Sequence, residues 1–309
     1  MWRMAVILLA ASLLVGACST ARQTSELLAA PGDLPAKAAV SGVPFFPQEK
    51  FYCGPAATAM VLAWSGLPVT QEEMAEQVYT PGREGSLQPD VIAAIRRNGR
   101  LAIPVDTLRE LLSEIAAGRP VLVFQNLALE FYPQWHYAVV TGYDLEAGEL
   151  IMNTGLWENR PVALSTFEHT WRRGGYWALV VLKPGELPVA PDEAELLRAA
   201  AGLERVERPG EAVLTYEAAL TLWPRSFAAW MGLGNARFAL SDYAGAETAW
   251  RAATTANTDS PAPAWNNLAY ALNAQGRKQE AIDAATRAVE LGGPDAANYR
   301  ATLNDIKGM

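Results

Sequence analysis

The chain has 309 residues, half of them hydrophobic, and a formal net charge of -8 at pH 7. That length holds roughly two domains, and an acidic balance with no Lys/Arg block excludes a binder of phosphate backbones, so no nucleic-acid partner is expected. Two cysteines and two histidines are too few for a structural zinc site, and no nucleotide loop is visible, so neither metal nor cofactor is expected.

At the N-terminus, Met1–Arg3 form a short positive region and Met4–Val15 an apolar stretch of 12 residues. A helix needs about 20 residues to span hydrocarbon, so residues 1–17 read as a signal peptide. Cys18 directly after Val15-Gly16-Ala17 resembles the lipobox of bacterial lipoproteins. The resemblance implies acylation of Cys18, which anchors the chain to a membrane. Ser19 in the following position resembles the outer-membrane-sorted subset, so the expected location is the bacterial envelope, at the outer membrane facing the periplasm. Residues 18–42 are small, polar and Pro-containing and read as a flexible tether. With Cys18 acylated, Cys53 is a lone thiol in an exported protein, and such a thiol needs a chemical reason.

From Val43 the pattern becomes globular. Cys53–Trp64 is Ala-rich and reads as a buried helix stopped by Ser65-Gly66. Thr70 with Glu73 and Thr107 with Glu110 are capping boxes. They predict helices over Gln71–Val78 and Leu108–Ala117, with a further helix from Gln88 to about Asn98 between them. After Pro120 the period shortens: Val121–Phe124, Tyr137–Tyr143, Glu149–Met152, Val162–Leu164 and Tyr176–Leu182 read as strands separated by Gly-containing turns. Residues 43–183 are therefore expected to be an α+β domain of N-terminal helices and an antiparallel sheet.

Residues 184–192 form a Pro/Gly-rich linker, and residues 193–309 read as helical throughout. Trp230, Leu233 and Gly234, followed by Ala246, Trp250 and Ala253, recur 35 residues later as Trp265, Leu268 and Ala269, then Ala281, Ala285 and Ala288. Ala212, Tyr216 and Ala219 mark an earlier, degenerate copy. The spacing resembles the tetratricopeptide repeat. That resemblance implies about three helical hairpins with a C-terminal tail, an all-α module whose concave surface takes a protein partner.

The chemistry centres on Cys53-Gly54-Pro55. Pro tolerates the first helical turn, so Cys53 stands at a helix N-terminus, where unpaired N–H groups favour a thiolate and lower the thiol pKa. His136, at the start of a strand-like run, is the candidate base; His169 is its only competitor. Asn153, on the strand returning across the Asp144–Gly148 turn, is the candidate to orient the imidazole, with Asp144 as the alternative. Gln48, five residues before Cys53, could donate to an oxyanion beside the Cys53 N–H. Aromatic residues are dense nearby, and Trp135, Trp157 and Tyr52 are candidates to line a substrate cleft.

Gln48-x4-Cys53-Gly54-Pro55, then His136-Tyr137-Ala138-Val139-Val140-x-Gly142-Tyr143, then Asn153, resembles the bacteriocin-leader-processing (double-glycine) cysteine peptidases of the papain-like clan. The resemblance implies a papain-like fold over residues 43–183, no cofactor, and catalytic roles for Gln48, Cys53, His136 and Asn153. The best-known of those peptidases are fused to ATP-driven exporters, while relatives stand outside transporters; this chain shows neither transporter helices nor a Walker-type loop, and Asn153 stands where Asp is commoner. The expected activity is thiol-dependent hydrolysis of peptide amides by a Cys-His-Asn triad, with the repeats recruiting a peptide or protein substrate or a partner. The alternatives are an inactive adaptor on a peptidase fold, and a peptidoglycan-peptide amidase or acyl transferase.

Overall fold

The computed structural model describes residues 21–48, 51–256 and 258–308; the signal peptide and the acylation site at Cys18 lie outside them. Its elements are α1 (Arg22–Ala29), β1 (Lys37–Ala39), α2 (Cys53–Trp64), α3 (Gln71–Val78), β2 (Tyr79–Thr80), β3 (Gly85–Ser86), α4 (Gln88–Arg97), β4 (Leu101–Pro104) and α5 (Leu108–Ala116). There follow β5 (Val121–Asn126), β6 (Trp135–Asp144), β7 (Glu149–Thr154), β8 (Trp157–Ala163), α6 (Leu164–Arg173) and β9 (Ala178–Leu182). The rest is helical: α7 (Glu193–Glu204), α8 (Pro209–Leu222), α9 (Phe227–Ala239), α10 (Tyr243–Ala253), α11 (Ala262–Ala274), α12 (Lys278–Leu291) and α13 (Ala296–Lys307).

Alternation along β5, β9 and the first half of β6 gives the sheet two apolar faces. Leu122, Tyr137, Val139, Leu179 and Val181 pack against α2, α3 and α4, while Val121, Val123, Ala138, Val140 and Val180 pack against α5 and α6. The seven-stranded sheet runs β4-β9-β5-β6-β7-β8, and β1 pairs with the far half of β6. All its strand pairs are antiparallel. Helix α2 is buried from Gly54 to Leu62, which is why its sequence carries no polar face. Both predicted capping boxes form, at Thr70/Glu73 and Thr107/Glu110.

Of the expected 18–42 tether, residues 21–42 are described, and they are not a free linker. Within them α1 packs on α5 and α6, and the buried Glu168 carboxylate accepts the N–H groups of Gln23 (3.0 Å) and Thr24 (2.6 Å). The orphan donors of a helix start are thereby satisfied by a side chain 144 or more residues away. Lys37–Ala39 pairs with Gly142–Asp144, and Leu27 and Val40 enter the core. Local composition favours a linker here; long-range partners outweigh it.

The 184–192 segment is likewise tied down. Leu187 packs on the core, its carbonyl accepts from Arg119 Nη1 at 2.7 Å, and the Val189 N–H donates to Glu114 Oε1 at 2.7 Å. Leu196, Ala199, Ala200 and Leu203 of α7 then join the same cluster as Leu101, Ile103 and Leu182. The first repeat helix thus covers the β4 edge of the sheet. Helices α7/α8, α9/α10 and α11/α12 form three hairpins closed by α13. Small residues set their spacing: a Cβ on Gly232 would lie 2.3 Å from the Tyr216 ring, and one on Gly234 2.2 Å from Trp250 Nε1.

Candidate active site

A cleft of about 1210 Å³ opens at the end of the sheet where β5 finishes and β6 begins. Gln48, Cys53, Ser86, Phe124, Trp135, His136, Tyr137, Gly155 and Arg173–Gly175 line it. Helix α2 delivers Cys53 at its first position; the β2–β3 hairpin overhangs the helix start. A Cβ on Gly54 would lie 2.2 Å from Ser86 Oγ, so the glycine after the cysteine is dictated by the hairpin.

The backbone of Tyr137 organises the site. Its N–H lies near enough to the Cys53 thiol to pull the thiol's pKa down, against the effect of burial. Its carbonyl accepts from Gln48 Nε2 at 3.4 Å. Gln48 also pairs twice with Gly155: its backbone N–H donates to the Gly155 carbonyl, and its Oε1 accepts from the Gly155 N–H, each at 3.0 Å. Strand β7 has ended at Thr154, so the Gln48 amide fills the gap between β6 and the chain leaving β7. One hydrogen on Nε2 is committed to Tyr137; the other is free of that bond.

His136 and Cys53 share the cleft, but no hydrogen bond links them among the described residues. The imidazole Nε2 lies 2.7 Å from Thr154 Oγ1. Asn153, the residue expected there, is buried with its Oδ1 accepting from the Asn159 N–H at 2.9 Å. Parity explains the difference. Val139 is paired with Asn153, so Asn153 shares the face of Tyr137 and Val139, while His136 and Thr154 share the other. A bulge between Val140 and Gly142 sets this register, and nothing in the turn sequence announces it. Asp144, the alternative, serves the turn: its Oδ1 accepts from the Ala147 N–H at 3.0 Å and it pairs with Lys37 Nζ at 2.9 Å. His169 sits on α6 and is not part of the cleft wall.

Electrostatics depart from the expected lowered thiol pKa. Burial pushes the Cys53 thiol up, against the pull of the Tyr137, Gly54 and Cys53 N–H groups. Burial also pushes the His136 imidazole down to about 4, and no carboxylate offsets it. Both shifts act against a thiolate–imidazolium pair.

Of the three aromatic candidates, Trp135 lines the cleft and stacks on Phe124, with centroids 5.2 Å apart. Tyr52 and Trp157 do not line it. Tyr52 stacks on Tyr79 at 5.1 Å, and Trp157 opens β8 with Arg160 over its ring. Sequence reasoning passed over Thr154, Gly155, Phe124 and Ser86. Thr154 and Gly155 were within reach, directly following Asn153. Ser86 had no local signal, because its relevance comes from the hairpin's approach to Gly54. Among the described residues, no group of three or more His, Cys, Asp or Glu side chains could hold a metal ion.

Residues 40–179 match the Peptidase_C39 like family, and residues 197–261 and 233–296 match the tetratricopeptide repeat. Among solved structures, a candidate C39-like peptidase from Bacillus anthracis is 18% identical over 48% of this chain and 98% of its own, with a TM-score of 0.42. The Yersinia enterocolitica secretion chaperone SycD, in complex with a peptide of the translocator YopD, is 20% identical over 37% of this chain and 91% of its own, with a TM-score of 0.35. No curated protein matches. The chain carries a C39-like peptidase domain fused to tetratricopeptide-like repeats.

Proposed function

We propose that the protein is a thiol-dependent hydrolase of peptide amides, with Cys53 as nucleophile and His136 as base. The observation that carries this reading is the convergence of a free helix-N-terminal thiol, a strand-start imidazole and a buried glutamine amide on one cleft. With both groups neutral at rest, His136 takes the thiol proton as sulfur attacks the carbonyl carbon. The forming oxyanion is met by the second Gln48 Nε2 hydrogen and the Cys53 N–H. The imidazolium protonates the leaving nitrogen, the C–N bond breaks, and an acyl-enzyme remains. Water, deprotonated by His136, releases the acid and regenerates the thiol. An amine in place of water would make the same intermediate an acyl-transfer step, and peptidoglycan peptides fit the same chemistry.

The repeats, a kind of fold that typically mediates protein or peptide binding, would recruit the substrate or dock the domain. An acylated Cys18 would hold the protein at the outer membrane, facing the periplasm. The neutral resting pair favours one other reading, an adaptor whose peptidase fold no longer turns over. Incubating the full-length chain with a peptide library and reading products by mass spectrometry decides between them. Cleavage that disappears in Cys53→Ala and His136→Ala, with a covalent acyl adduct trapped on Cys53, supports the hydrolase. Absence of both product and adduct from a folded chain sinks it.

A further inference from the structure

We propose that Thr154, and not Asn153, is the positioning residue for His136. This deepens the reading of His136 as base and rests on it. The geometry is specific. Thr154 Oγ1 lies 2.7 Å from His136 Nε2, while Asn153 spends its amide oxygen on the Asn159 N–H of β8 at 2.9 Å. The residues Asn153, Thr154 and Gly155 therefore divide three tasks. Asn153 pins β8, Thr154 holds the imidazole, and Gly155 grips Gln48 on both its N–H and its carbonyl.

A hydroxyl differs from a carboxylate in two respects. It is neutral, so it adds no field that would raise the imidazole pKa, in keeping with the burial-dominated value of about 4. It can also accept or donate. Acting as base requires that Oγ1 accept from Nε2–H, which leaves the Nδ1 lone pair to receive the thiol proton. Thr154 thus selects the working tautomer without favouring the imidazolium. The consequence is a base that stays unprotonated in mildly acidic surroundings, at the cost of a weaker stabilisation of the imidazolium formed during turnover.

The test uses the 15N-labelled full-length chain, in which His136 and His169 are the only histidines, with His169→Gln to assign signals. Long-range 1H–15N correlation at pH 7 should show His136 as the Nε2–H tautomer in wild type, in Thr154→Ser and in Asn153→Ala. Thr154→Val should lose that preference, and kcat on a cleaved peptide should drop roughly 10- to 100-fold with KM within about twofold. Thr154→Ser should keep kcat within about threefold of wild type. Thr154→Asp should raise the His136 titration midpoint and move the acid limb of kcat/KM upward with it. A folded Thr154→Val chain with unchanged tautomer overturns the proposal, as does a tautomer change in Asn153→Ala alone. If Thr154→Val does not fold, an unshifted His136 midpoint in Thr154→Asp overturns it equally. The tautomer and titration readings need no turnover, so a chain that cleaves nothing rejects the hydrolase reading while still deciding this one.

Discussion

Burial of Cys53 and His136 has consequences that can be measured one residue at a time. His136 is pushed down to about 4 from an ordinary value near 6.5. Between those values the unfolded chain takes up a proton that the native chain refuses, so stability falls on acidification across that window and is independent of this group above it. Chemical denaturation should show about 2–3 kcal/mol more loss between pH 7 and pH 4 in wild type than in His136→Gln. The thiol has the opposite sign: its raised pKa means that native Cys53 ionises after the unfolded thiol. In substrate-free protein, iodoacetamide labelling of Cys53 should therefore stay slow at neutral pH and rise only in the alkaline range. Rapid labelling at pH 6 would show that the ion pair, not the neutral pair, is the resting state. Gln48→Ala is expected to lose stability as well as activity. It strips partners from the Tyr137 carbonyl and the Gly155 N–H, each worth about 1–3 kcal/mol when left unpaired. A melting curve beside the rate assay checks this.

At the scale of elements, the helices were legible from local chemistry because their signals are local. The Thr-x-x-Glu caps place α3 and α5 within a residue of their observed bounds, and the apolar run after Cys53 places α2. The strands were legible as runs but not as a register. β8 begins at Trp157, five residues before the Val162 start expected, because its exposed edge positions carry Glu, Asn and Arg. Strand β4 and the β2–β3 hairpin were missed, as was β1, since two- to four-residue elements leave no period to read. The hairpin matters, for it dictates Gly54. A Gly54→Ala chain must displace Ser86 or the start of α2, and overpacking of this kind costs about 1–3 kcal/mol. Urea denaturation should show that loss, partly recovered by adding Ser86→Gly.

At the scale of the whole molecule, the repeats and the peptidase domain share one core, with α7 contributing Leu196, Ala200 and Leu203 to the cluster that holds Ile103 and Leu182. Arg208 closes the seam through two bonds to the Arg97 carbonyl, at 3.1 and 2.8 Å. A chain ending at residue 183 should therefore be poorly soluble or unfolded, since it exposes this apolar surface and uncovers the β4 edge. Size-exclusion chromatography and circular dichroism of that truncation, beside one ending after α8, report the result. Packing of this kind fixes the first repeat helices relative to the sheet. Gly202 shows how close the seam is: a Cβ there would lie 2.5 Å from Arg96 Nε.

Neighbours along the chain suffice for the capped helices, the Trp/Ala repeat, the thiol at a helix start and the imidazole at a strand start. These follow from hydrogen bonds and periodicities spanning four residues or a fixed repeat. Three-dimensional packing settles which side chain meets His136, that residues 21–42 are folded in, and that residues 184–192 are held against the core. Each depends on a partner distant in sequence: a bulge setting the β6–β7 parity, the Glu168 carboxylate receiving α1, and Glu114 with Arg119 holding the 187–189 backbone. Period-2 alternation makes the first of these unforgiving, because one residue of slip exchanges Asn153 for Thr154 across the sheet.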